Sequence, residues 1–215
     1  VGPRDHCGVR ERVCGGAIAL LICLSASGAR AQQPAAPGKN VLERAGLDLS
    51  ARVALALPFG DIMAGDPLGA WLSSELPVVI EFGLRVNKNL AVAMNLELGP
   101  TFTKYNCGGC DTTEGIQLNL EAIFTARAGL AIDPWLGLGT GLESVSFSPG
   151  DQANGWNYAL IEAGGEFRVG DHSALGPFIG LSIGEYTSVT APETYFTSRA
   201  LHEWFRFGMR GTINN

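Results

Sequence analysis

Histidine, methionine and cysteine are scarce in this chain: 3, 3 and 5 residues among 215, with charged residues at 17%. Two of the histidines, His172 and His202, lie in the body of the sequence, and no metal-ligand spacing, phosphate-binding loop or nucleophile elbow accompanies them. The chain is therefore expected to carry no metal, no cofactor and no enzymatic centre. The apolar run Ala17 to Leu24 is too short for a membrane-spanning helix, which needs about 20 apolar residues. A formal charge of −6 leaves no electrostatic basis for nucleic-acid binding.

What is present at the beginning is an export pattern. Arg4, Arg10 and Arg12 precede the apolar run, and Ala29-Arg30-Ala31 follows it as a small-x-small cleavage site, so residues 1–31 are expected to be a signal peptide. Its removal takes away four Arg and two acids and moves the formal charge from −6 to −8. It also takes Cys7, Cys14 and Cys23, neither of the last two placed for lipidation, and leaves Cys107-Gly-Gly-Cys110. An even pair in an exported chain predicts a disulfide. The alternative, a redox Cys-x-x-Cys, needs a helix amino-terminus to lower the thiol pKa, and strand and loop patterns flank this one. Residues 32–46, rich in Pro, Ala and Gln, read as a linker.

From Leu47 the period is two. Alternating segments are predicted at Leu47–Pro58, Leu76–Val86, Leu90–Thr103, Ile116–Arg127, Pro134–Phe147, Asn157–Val169, Leu175–Thr187 and Leu201–Ile213. One face is apolar throughout; the other holds Asp48, Arg52, Glu81, Arg85, Glu97, Glu121, Arg127, Glu143, Glu162, Glu166, Arg168, Arg206 and Arg210. The fold class is all-β, an eight-stranded antiparallel up-and-down barrel over residues 47–215.

Alternation alone fits a soluble barrel as well as a transmembrane one with its faces reversed. Three features favour the membrane. Lys39, Lys88 and Lys104 all fall in a linker, turn or loop flank, while the strand cations are Arg, whose planar fork can satisfy enclosed carboxylates. Those Arg roughly balance the acids, as a packed interior ion-pair network would require. Short links (87–89, 128–133, 170–174) alternate with longer ones (59–75, 104–115, 148–156, 188–200), the pattern of periplasmic turns and outside loops. A strand of about eleven residues, tilted near 40°, also rises about 25–28 Å, the height of an outer-membrane apolar band.

The segments over about residues 47–213, with the strand openings Pro134-Trp-Leu-Gly-Leu-Gly-Thr-Gly141 and Pro177-Phe-Ile-Gly-Leu-Ser-Ile-Gly184, resemble the OmpA/OmpX-type small outer-membrane β-barrel family. The resemblance implies a bacterial outer-membrane location, a periplasmic linker, and two partners: outer-membrane lipid and the barrel-insertion machinery. Members often end on an aromatic residue, whereas this chain closes Phe207-Gly-Met-Arg-Gly-Thr-Ile-Asn-Asn215.

An eight-stranded barrel is just wide enough to be filled by side chains. The expected role is therefore structural or surface-interacting, through the loops. A narrow channel or a small apolar-ligand transport barrel stands as the alternative. A lipid A-modifying barrel enzyme is a third reading, with His202 at the outer rim and Ser198 nearby. It lacks a motif, and an interfacial histidine is the expectation. Trp71, Tyr105, Trp156, Tyr186 and Trp204 are read as interfacial girdle residues.

Overall fold

A computed structural model describes residues 46–104, 112–126, 131–148, 151–170, 172–191, 194–196 and 199–214. Residues 1–45, Cys107, Cys110, Tyr105, Arg127 and Ser198 lie outside them, and with them the expected signal peptide, most of the linker and the disulfide.

The elements are β1 (Leu47–Met63), β2 (Asp66–Pro67), α1 (Leu68–Trp71), β3 (Leu72–Glu75), β4 (Val78–Arg85), β5 (Leu90–Thr103), β6 (Thr112–Thr125), β7 (Ile132–Ser148), β8 (Asp151–Arg168), β9 (Ser173–Ala191), β10 (Thr194–Phe196) and β11 (Ala200–Asn214). All pairings are antiparallel, each long strand lies beside the next, and β11 returns to β1, so the sheet closes. With β3 and β4 taken as two halves of one interrupted strand, the ring has eight strands.

Local chemistry explains the corners. In the β4–β5 turn Asn87 Oδ1 accepts from the backbone N–H of Asn89 and Leu90 at 2.8 and 3.0 Å, the side-chain mimic of a backbone turn that Asn favours. At the other end of β1, Gly65 takes a φ of +83°, a left-handed conformation that costs little without a Cβ. The far ends of β4, β6 and β8 share one end of the barrel with the start of β1 and the last residues of β11 (the terminal end); α1 and β10 stand at the other (the loop end).

Three boundaries differ from the sequence expectation. The expected loop 59–75 is largely structured, holding the end of β1 with β2, α1 and β3; β3 is parted from β4 at Pro77, which has no N–H to donate, while Leu76 N donates to Pro100 O and Ala54 N to Pro77 O, both at 3.1 Å. The expected loop 148–156 is mostly strand, because β7 and β8 pair out to Ser148 and Asp151. β8 also carries a bulge between Asn157 and Ala159 and β9 gains an extra residue near Thr187, each flipping the alternation by one residue.

The faces run as a membrane barrel requires. Leu120 is 61% exposed, Leu138 53% and Ile179 56%, and most outward positions around the ring are likewise apolar, whereas Arg52, Glu81, Glu97, Asn119, Glu121 and Arg206 are buried. A water-facing monomer rarely shows a contiguous apolar patch beyond a few hundred Å²; a wall of this kind is stable against hydrocarbon. No helix among the described residues is long and apolar enough to cross a membrane; the strands cross it.

Candidate functional site

The lumen is filled in layers. Nearest the loop end, Ile62, Leu68 and Leu72 from β1, α1 and β3 pack against Val145, Ala153 and Val189 on the inner faces of β7, β8 and β9. Trp71 and Met63 rest on this cluster, which forms an apolar cap over the mouth.

Below the cap lies a polar chamber. His202 is fully buried, its ring stacked on Tyr186 with centroids 3.9 Å apart and planes 11° from parallel, and its Nε2 abuts Glu143 Oε1. Arg206 donates through NH2 to Gln117 Oε1 at 2.8 Å and lies 3.1 Å from Glu97. Asn157 donates to the same Gln117 oxygen at 3.0 Å. Glu75, from β3, turns its carboxylate over Gly115.

The next layer is an ion-pair hub. Arg52 contacts Glu81, Glu121 and Glu162, the Glu121 contact being 2.7 Å. Those carboxylates come from β4, β6 and β8, so one guanidinium ties alternate strands across the lumen. Arg210 reaches Glu81 at 2.6 Å and Glu166 at 2.7 Å. Both cations face the indole of Trp135, with centroid distances of 5.5 Å for Arg52 and 4.6 Å for Arg210. Asn95 and Thr212 donate to Glu121 and Glu166 at 2.9 and 2.6 Å. Inward glycines supply the room: a Cβ on Gly137 would collide with the Glu121 carboxylate, and one on Gly180 would sit 3.0 Å from Glu162 Cγ.

Of the expected interior charges, Arg52, Glu81, Glu97, Glu121, Glu143, Glu162, Glu166, Arg206 and Arg210 are buried in the lumen. Asp48 and Arg85 pair with each other at 2.7 Å at the terminal end, and Arg168 pairs with Asp133 at 3.0 Å with its side chain 65% exposed. Arg85 and Arg168 are therefore rim residues, not members of the interior network, because their strands end where they sit. With them gone from the interior, the expected balance fails: among the described residues, buried Arg52, Arg206 and Arg210 face seven buried glutamates.

His202 is also corrected, from an interfacial residue to a buried one, since the outer part of β11 turns it onto the inner face. Tyr186 and Trp204 likewise belong to the interior rather than to an interfacial girdle, whereas Trp156 is 50% exposed on the outer wall. Glu75 was invisible as a lumen residue: a register shift between Leu72 and Ser74 hides the alternation in β3. Gln117, Asn119 and Asn95 were legible by their places in alternating strands but carry no charge to draw attention. Among the described residues no group of three or more His, Cys, Asp or Glu is placed to hold a metal ion.

No family model matches the chain, and no curated protein matches it. Solved structures do. AlkL, determined by solid-state NMR in DMPC lipid bilayers, superposes with a TM-score of 0.54 at 12% identity, covering 86% of this chain and 97% of that one. OprG of Pseudomonas aeruginosa gives 0.49 at 11%, covering 80% and 97%, and Neisserial surface protein A gives 0.48 at 15%, covering 76% and 95%. At these identities the likeness concerns fold, and the AlkL superposition agrees with the closed ring described above. The chain has the fold of the small eight-stranded outer-membrane β-barrels.

Proposed function

We propose that the chain is an integral, non-enzymatic protein of the bacterial outer membrane, closed to bulk solute, with a structural or surface-interacting role carried by its loop end. The observation that supports this most directly is the double closure of the lumen, by the apolar cap around Leu68 and by the Arg52 hub. With the terminal end in the periplasm, in keeping with the short periplasmic turns of such barrels, the extended β7–β8–β9 sheet and α1 stand on the outside. The interior network of Arg52, Glu81, Glu97, Glu121, Glu143, Glu162, Glu166, Arg206 and Arg210 is then a stabilising fill. Insertion by the barrel-assembly machinery belongs to the same reading.

The test has two steps. Membrane fractionation followed by gel mobility of boiled and unboiled samples is expected to show outer-membrane recovery and a heat-dependent shift. Planar-bilayer recording of the folded barrel is then expected to show no sustained conductance. A soluble protein without a shift would sink the membrane reading; steady ion-selective steps would replace the closed barrel with a narrow channel. The excess of buried glutamate over arginine favours that channel as the second reading. Small apolar ligands have only the cap to recommend them, since the layers below it are polar.

A further inference from the structure

On β7, β8 and β9 the apolar band of the outer wall ends at a row fixed by register, Leu142–Trp156–Glu185. Trp156 is 50% and Tyr158 51% exposed there. Tyr158 donates its hydroxyl to Glu185 Oε2 at 2.6 Å, and Arg199 Nε lies 3.3 Å from Glu185 Oε1 with its side chain 75% exposed. Charge on a lipid-facing wall is costly at the midplane and nearly free at the interface, where Trp and Tyr also gather. The row therefore marks the boundary between hydrocarbon and headgroups.

Beyond it the three strands stay paired for two more rows, Ser144–Asn154–Ser188 and then Ser146–Gln152–Thr190. Four residues at about 3.3 Å each and a tilt near 40° lift the upper row about 10 Å above Trp156, through a headgroup layer of about 5–8 Å. The inner side of this projection is Val145, Ala153 and Val189, sealed by the cap. Its outer side carries hydroxyls and amides only, and they are held in place: Gln152 Nε2 donates to Ser144 Oγ at 2.5 Å and to Asn154 Oδ1 at 3.2 Å, and Thr187 Oγ1 donates to Asn154 O at 3.2 Å.

A protein partner is gripped mainly by aromatic and Arg anchors at the centre of its contact, and phosphate by the guanidinium fork or a Lys charge. The two rows hold neither. Groups that both donate and accept, above an exposed indole, suit a polyhydroxyl surface: sugar hydroxyls meet the ladder and the C–H face of a sugar ring meets Trp156. The face is continuous with the lipid-facing wall, so the sugar that reaches it stands on acyl chains packed beside that wall. We propose that the outer face of these two rows, with Trp156 at its foot, docks the saccharide headgroup of an outer-leaflet glycolipid. This rests on the outer-membrane reading above and adds to it a class of lipid and one side of the barrel.

The experiment uses the isotope-labelled barrel folded in detergent micelles and showing the heat-dependent mobility shift. Its amide spectrum is followed during titration with rough lipopolysaccharide, a glycolipid with a short sugar chain, and with phosphatidylglycerol, an anionic lipid without sugar. Lipopolysaccharide is expected to shift, saturably, the backbone amides of residues 144–156 and 185–190 and the side-chain amides of Gln152 and Asn154, and phosphatidylglycerol to leave them in place. Gln152→Ala combined with Asn154→Ala, both on the outer surface away from the cap, is expected to weaken the titration midpoint roughly fivefold or more, as loss of two hydrogen-bonding groups does. Glu114→Gln, on the outer face of β6, is expected to leave it unchanged. An equal response to phosphatidylglycerol would overturn the proposal by showing a general lipid surface. An equal midpoint for the detached core oligosaccharide would overturn it by making the partner a free polysaccharide. A barrel with the mobility shift and no sugar-dependent response loses this proposal alone; a chain without the mobility shift loses the outer-membrane reading with it.

Discussion

Replacing Arg52 by methionine isolates the electrostatics of the hub. Methionine keeps an unbranched chain of similar reach beside Trp135 and Phe178, whose ring centroids lie 5.5 and 5.9 Å from the guanidinium carbon, so the packing loss is small. The charge loss is not. Among the described residues Glu121 and Glu162 lose the only cation they contact, while Glu81 keeps Arg210 at 2.6 Å. Breaking a buried pair by removing one partner costs about 3–5 kcal/mol, a hundredfold to several-thousandfold change in the folded-to-unfolded ratio at about 1.4 kcal/mol per factor of ten. We expect Arg52→Met to destabilise the barrel by that amount, read as the shift in urea midpoint for reversible unfolding from lipid vesicles. Adding Glu121→Gln and Glu162→Gln removes the stranded charges, and the triple variant is expected to recover most of the loss. A single variant within about 1 kcal/mol of wild type, well below the pair-breaking range, would refute the reasoning and mean that lumen water already solvates these carboxylates.

On the outer wall, Leu138→Arg is expected to cost about 2–4 kcal/mol in the same vesicle assay if that position lies at the midplane, and near 0–1 kcal/mol if at the interface. Gly137→Ala forces a methyl group against the Glu121 carboxylate and is expected to destabilise by about 1–3 kcal/mol, as overpacking does; an unchanged midpoint would mean that Glu121 swings aside freely. Brominated lipids are expected to quench Trp156 and not Trp204, so Trp156→Phe reduces the quenching and Trp204→Phe leaves it intact; the reverse would turn the barrel inside out. Cys107 and Cys110 are expected to resist maleimide until reduced, a mass increment read on intact protein; labelling without reductant would remove the disulfide.

The legible part of this fold rests on simple alternation. Wherever a strand keeps strict period two, as in Ala91 to Glu97 of β5, Gln117 to Ile123 of β6 or Phe178 to Tyr186 of β9, the inward residues follow from the sequence, because a pleated strand has no other way to present its side chains. What was hidden lies beside irregularities. The shift in β3 concealed Glu75, the bulge at Asn157–Ala159 in β8 brought Asn157 inward out of step with Leu160 and Glu162, and β3 itself lay in a stretch that reads as loop. The mistaken balance of interior charge had another cause: period two assigns a face but not a height, and Arg85 and Arg168 have the right face at the strand ends, where water and rim acids take over.

The break at Pro77 also decides where this ring is mechanically weakest. β1 pairs with β11 without interruption from Asp48 to Gly60, but with β4 only from Leu47 to Val53, and beyond the proline it meets β3 at the single pair Ala56–Glu75. The junction of first and last strands, formally the join in the chain, is therefore the stronger closure. Under tension or rising temperature the cylinder parts between its first two strands, from the loop end downward, and amide exchange along β1 is fastest on the edge that faces β3.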